Sequence, residues 1–178
     1  EYLKLNPTGP IPVLVDGDLV LYETAAIVLH LVDTHPKADL APALGTSERA
    51  HFYKWLMWMT NTLQTTLMIH FYPERWVSPD NSEGAAEVKR QAQLRTGGLL
   101  DQLETQLTSH GGGWLLADAF SALVAYALML CRWSRAFDAG IAAPARVRPG
   151  LGAYLHRGLG RPSSQRSPQG GQSAAPWA

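Results

Sequence analysis

The sequence predicts a mostly α protein, in which a short, partial α/β segment is followed by an all-helical bundle. Three observations lead there. Two β-rich runs flank Asp16-Gly17-Asp18 near the N-terminus. No convincing strand follows residue 45, and apolar residues beyond it recur at the three- and four-residue spacing of helices. With 178 residues, 46% hydrophobic and 17% charged, and with 6 Trp, the chain can close a sizeable core.

Residues 1–6 (EYLKLN) read as the end of a helix stopped by Pro7 and Gly9. Pro12-Val13-Leu14-Val15 reads as a buried strand and Leu19-Val20-Leu21-Tyr22 as its hairpin partner, because Gly17 tolerates the positive φ of a tight turn. Over 23–35 the spacing of Ala25, Val28, Leu29 and Val32 is helical, and Pro36 ends it. Ile27 and Leu31 add a second apolar face, which places this helix between a sheet and another layer. After the linker KADLAPALG, Thr46 stands as an N-cap with Glu48 placed against the helix dipole. Phe52, Trp55, Leu56, Met59, Leu63 and Leu67 then form one stripe. A second long helix runs over 81–110, where Gly97 and Gly98 each weaken it by roughly 1 kcal/mol relative to alanine. The glycines at 111–113 make a turn, and helices follow over 121–137 and 149–159. The expected organisation is an α/β segment at 1–36, a linker at 37–45, a helical domain at 46–165 and a loose tail at 166–178 that holds Trp177.

Lys plus Arg equals Asp plus Glu at 15 each, with no basic cluster, so a nucleic-acid backbone is not an expected partner. No apolar run approaches the roughly 20 residues of a membrane span, and no signal-peptide pattern opens the chain, so no membrane partner and a cytoplasmic location are expected. A single cysteine, Cys131, leaves no internal disulfide and lies among Leu128, Leu130 and Trp133 as an inert buried thiol. His70 and Glu74 have ligand spacing, but Pro73 interrupts the turn, so a kink is expected there and no metal. His110-Gly111-Gly112-Gly113 matches an esterase oxyanion loop without the nucleophile elbow that chemistry needs; it reads as a turn. The apolar cluster at 54–59 divides between core and either a subunit interface or a substrate wall.

Pro12 cannot donate to a sheet ladder and belongs at a strand start or edge. Cis is the minority state of such bonds, but a cis bond here would turn the N–H and C=O of Ile11 outward, free to pair with an extended ligand. Glu23 and Thr24 fall at the strand-to-helix junction, where unpaired N–H groups attract a carboxylate. Thr24 can offer hydroxyl and amide to it while Glu23 accepts from an ammonium, so the pair suits an amino-acid head group. Plain capping by Thr24, with Glu23 complementing the dipole, fits the same residues.

The order Gly9-Pro10-Ile11-Pro12-Val13-Leu14, a hairpin, then Glu23-Thr24-Ala25-Ala26-Ile27 resembles the second half of the thioredoxin-like domain of cytosolic glutathione transferases. The string WLLADAFSALVAYALMLCRW resembles the family's buried helix-capping segment, and RPGLGAYLHRGLGRPSSQR a late helix and its successor. The resemblance implies glutathione as co-substrate. Ile11 beside Pro12 would bind its cysteinyl backbone, Glu23 and Thr24 its γ-glutamyl end, and the helical domain would wall a pocket for a small apolar electrophile. It also implies a homodimer. The Tyr, Ser or Cys that activates the thiol in this family would lie upstream of Glu1, so the catalytic residue is unassigned and the chain is expected to be N-terminally truncated. Two departures stand out. Ala117-Asp118 replaces Gly-Asp at a turn that favours positive φ, and Ser121 is followed three residues on by Val124, which removes half of a reciprocal capping box. These leave open a non-catalytic glutathione-family binding or scaffold protein.

Overall fold

The computed structural model describes residues 1–162 and residue 164; the tail expected at 166–178, with Trp177, lies outside the described residues. Its helices are α1 (Tyr2–Leu5), α2 (Thr24–Thr34), α3 (Ser47–Trp58), α4 (Thr65–Phe71), α5 (Ser82–Ser109), α6 (Leu123–Trp133) and α7 (Pro149–Leu159). Strands β1 (Val13–Asp16) and β2 (Leu19–Tyr22) pair antiparallel, with Val13 opposite Tyr22 and Asp16 opposite Leu19. The described residues are thus mostly helical with one small hairpin, and no helix among them is long and apolar enough to cross a membrane.

The stripe over α3 and α4 packs as its spacing demands: Phe52, Leu56, Met59 and Leu63 are fully buried, and Leu67 is nearly so. They meet Leu99, Leu100 and Leu103 of α5, Leu123 and Leu130 of α6, and Leu151 and Tyr154 of α7 in one cluster. Ala25 belongs to that cluster, and Val28 and Leu29 pack against it, so the core runs without a break from α2 into the bundle. Arg49 adds a polar tie. Only 4% exposed, it donates through Nη2 to Asp33 of α2 at 2.6 Å and through Nη1 to the Pro42 carbonyl at 3.0 Å.

Several expectations change. The hairpin is not buried: neither strand has a buried residue, and Val15 is 55% exposed, because among the described residues the two strands pair only with each other and it is β2 that rests on α2. The second apolar face of α2 is only half realised, with Ile27 buried but Leu31 exposed. The long helix from Ser47 to Phe71 is not uniformly α; a π-helical segment, Met59–Gln64, joins α3 to α4. α6 starts at Leu123 with no side-chain cap, so Ser121 supplies neither half of a capping box, and Ala117 does adopt the left-handed φ of 55°. A Cβ on Gly112 would fall 2.5 Å from the Ala117 carbonyl carbon, so that glycine is required by close approach rather than by its own φ.

Other helix starts follow local rules. Asn81 caps α5 by accepting from Gly84 N–H at 2.9 Å. α7 opens with Pro149 and has no cap of its own; the Glu104 carboxylate of α5 instead accepts from Gly150 and Leu151 N–H at 2.7 and 2.6 Å. Thr46 caps α3, its hydroxyl accepting from Arg49 N–H at 3.2 Å and donating to the Ala43 carbonyl at 2.8 Å. Thr46→Ala is therefore expected to cost about 1 kcal/mol. That lowers the melting temperature by about 2–4 °C, read by circular dichroism; no shift would mean that the cap does not form.

Candidate functional site

Asn6, 2% exposed, orders the loop before β1: its amide nitrogen donates to the Pro10 carbonyl at 2.6 Å, and its oxygen accepts from the Thr8 amide and hydroxyl at 3.1 and 2.6 Å. The Tyr2 hydroxyl also donates to Pro10, at 2.7 Å. The Ile11–Pro12 bond that follows is cis. Ile11 is 82% exposed, and among the described residues neither its N–H nor its C=O has a hydrogen-bond partner.

The junction of β2 and α2 is the second part. Glu23 occupies the N-cap position with φ of 74°, a conformation uncommon outside glycine and recurrent at functional sites. Thr24 is the first helical residue. Neither side chain caps α2 by a hydrogen bond, so the capping half of the plain reading is not realised, although Glu23 at the N-cap still faces the helix dipole; the first amides of the helix stay available.

Both residues open onto a cavity of about 310 Å³ whose other wall is Thr60, Asn61, Gln64, Thr65 and Met68, with Trp76 and Tyr126 closing it. The π-helical segment supplies the polar part of that wall. π-Helical turns inside α-helices are frequent at functional sites, and this one lets Thr60 and Gln64 reach the same hydroxyl. Tyr126 donates to the Gln64 side-chain oxygen, and the Thr60 hydroxyl lies 2.5 Å from the Tyr126 oxygen. Burial, partly opposed by the Thr60 hydrogen bond and reinforced by the Glu23 charge, raises the Tyr126 pKa above its ordinary value. Tyr126 is a neutral hydroxyl at neutral pH, within the electrostatic reach of Glu23.

The structure thus brings Glu23 and Thr24 together on one cavity. Ile11 and Pro12 do not line it. Sequence reasoning missed the Tyr126–Thr60–Gln64 network and the buried Asn6. A signal for the first was present: Thr60-Asn61-Thr62 and Gln64-Thr65-Thr66 interrupt an otherwise apolar stretch.

The same helix face continues to a second cavity, also of about 310 Å³, lined by Met68, Phe71, Tyr72, Trp133, Arg135 and Ala136. Met68 belongs to both. Gln64 and Phe71 are seven residues apart on a helix face, which sets the polar and aromatic ends about 10 Å from each other.

The remaining candidates carry no chemistry. Cys131 is fully buried, and burial pushes its thiol up to about 12. His70 is 6% exposed beside the Lys89 carbonyl and the rings of Phe71 and Phe137, and burial lowers its pKa; Glu74 lies beyond the helix end on the 3-10 turn Pro73–Trp76. No group of three potential metal ligands exists among the described residues.

Residues 1–39 match the family model described as "Glutathione S-transferase, N-terminal domain". The chain is 42% identical over 85 residues to the uncharacterised GST-like protein YncG of Escherichia coli, covering 47% of this chain and 40% of that one. It is 29% identical over 136 residues to glutathione S-transferase GST-4.5 of Xanthomonas campestris pv. campestris, covering 75% of this chain and 64% of that one. The chain therefore spans less than two thirds of the length of these curated relatives. It is also similar to the solved structure of BphK, a bacterial GST, in a ternary complex, with a TM-score of 0.72, 30% identity, and coverage of 95% of this chain and 78% of that one.

Proposed function

The chain belongs to the glutathione S-transferase family, and from that premise we propose that it binds glutathione at the polar end of its cleft and serves conjugation to an apolar electrophile held at the aromatic end. Thr24 takes the γ-glutamyl carboxylate through its hydroxyl and its amide, where the dipole of α2 favours negative charge. Glu23 accepts from the γ-glutamyl ammonium. The unpaired N–H and C=O of Ile11 pair with the cysteinyl backbone, as one more strand would. In the reaction the thiol loses its proton, the thiolate attacks the electrophilic carbon to form a C–S bond, and the leaving group departs with its electron pair. We further propose that the active assembly is a homodimer.

The observation that carries this reading is the placement of Glu23 and Thr24 on one cavity with neither side chain engaged by the helix it begins. Calorimetric titration tests it. Thr24→Val is expected to weaken glutathione about tenfold, the worth of one hydrogen bond to a charged group. Cysteinylglycine, which lacks the γ-glutamyl end, is expected to bind the parent and the variant equally. Unchanged glutathione affinity in both Thr24→Val and Glu23→Gln rejects the assignment.

A further inference from the structure

We propose that the cavity enclosed by the linker at 38–42, the start of α3 and the loop before α6 binds a free basic amino acid such as lysine, its carboxylate held by Arg161 and its ammonium groups by Asp39, Glu48 and Asp118. The cavity holds about 430 Å³, the size of a small-molecule site, and shares no lining residue with the cavity of Glu23 and Thr24. Its walls are fixed to one another. The Leu40 carbonyl accepts from Ala122 N–H at 2.8 Å, which ties the linker to the start of α6, and the buried Arg49 holds the Pro42 carbonyl at 3.0 Å. Leu40, Ala41 and Pro42 give the linker side an apolar surface suited to a chain of methylenes.

Arg161 is the cation on this lining, and its place is set by rings. Its guanidinium carbon lies 3.6 Å from the centroid of Phe120, Phe120 stands edge to face on Trp114 at 5.1 Å, and Trp114 meets the buried Tyr154 of α7 at 5.9 Å. The stack roots Arg161 in the core. Among the described residues its guanidinium has neither an ion pair nor a hydrogen bond, and its Nε is shut off from water with no acceptor. Asp39, Glu48 and Asp118 line the same cavity, are exposed, and are equally without an ion pair among the described residues, so none of their carboxylates comes within 4.0 Å of Arg161. Opposite charges that share a cavity without neutralising one another are matched by a ligand that carries both signs. Three carboxylates against one guanidinium leave an excess of negative charge, so two cations and one anion complement the site better than a neutral zwitterion does. The planar guanidinium suits the carboxylate, which it can take through two N–H groups at once.

Calorimetric titration of the full chain with L-lysine, with cadaverine, which lacks the carboxylate, and with Nε-acetyl-L-lysine, which lacks the side-chain charge, tests the proposal. Lysine is expected to bind the parent about tenfold tighter than cadaverine, the worth of a charge-assisted hydrogen bond, and about fivefold tighter than the acetylated form, the worth of an ion pair open to water. Arg161→Gln should erase the preference over cadaverine and leave cadaverine itself unchanged. Asp39→Asn combined with Asp118→Asn alters two exposed residues, places asparagine where the backbone φ of 51° at Asp39 suits it, and should remove most of the preference over the acetylated form. Equal affinities of the three probes in the parent, no saturable binding of lysine, or parent-like lysine affinity in either variant would each overturn the proposal. Lysine also carries the amino-acid head group proposed to bind at Glu23, so Glu23→Gln is the control. It should leave lysine unchanged; a loss there would move the ligand to the other cavity and overturn the assignment.

Discussion

Phe52→Ala is expected to lower the unfolding free energy by about 3–5 kcal/mol, the range for deleting a buried aromatic ring and leaving part of its cavity open. Phe52 is fully buried, with the Tyr53 ring 6.2 Å away and the Arg49 guanidinium 5.4 Å from its centroid. It sits in the core cluster that joins α2 to the bundle, so the loss reaches both. Against a total of about 5–15 kcal/mol for a domain, the variant should melt about 6–20 °C lower. Leu44→Ala, at a residue 72% exposed, is the control and should change stability by no more than about 0.5 kcal/mol. A Phe52→Ala cost below about 1 kcal/mol would contradict the packing of α3.

Glu104→Ala should come second, at about 2–3 kcal/mol. One carboxylate accepts the Gly150 and Leu151 amides at the start of α7, which has no other side-chain cap. Removing it strands two donors at the positive end of a helix dipole, and hydrogen bonds to a charged acceptor are worth about 1.5–3 kcal/mol each. Glu104 is half-buried, so water recovers part of the loss and the sum of two full bonds is not reached. Urea unfolding with an unchanged m-value would read the loss as stability alone. Glu104→Gln keeps an acceptor and should fall between the parent and the alanine variant; a parent-like alanine variant would mean that α7 is capped from elsewhere.

Much of the fold was legible because it rests on local rules. Gly17, Pro36, Thr46 and Pro149 mark element ends by φ, by a missing donor or by a capping side chain, and the structure uses each where the sequence placed it. The stripe from Phe52 to Leu67 was legible for the same reason, since apolar spacing reports which face is covered. The π-helical segment was not. Shifting one hydrogen-bonding register changes neither composition nor the apolar period enough to show, yet it is what sets Thr60 and Gln64 on Tyr126. The positive φ of Glu23 was equally hidden, because glutamate carries no signature of left-handed backbone; only the position of the pair at a strand-to-helix junction pointed to it. Hairpin exposure was misread because Val and Leu spacing records what a strand could bury, while the cover actually available is α2.

The unequal anchoring of α2 and the hairpin has a dynamic counterpart. α2 shares the bundle core through Ala25, so its hydrogen-bonded amides, from Ile27 onward, should exchange with deuterium only as the whole protein opens. The hairpin contributes no residue to that core and should open far more often by itself, which gives the two parts of the proposed glutathione site different rigidity: Thr24 on a fixed floor, Ile11 beside a strand that opens. A ligand bridging them would slow exchange along Val13–Asp16 and at the unbonded amides that open α2, and the amides deeper in α2 would barely register its arrival.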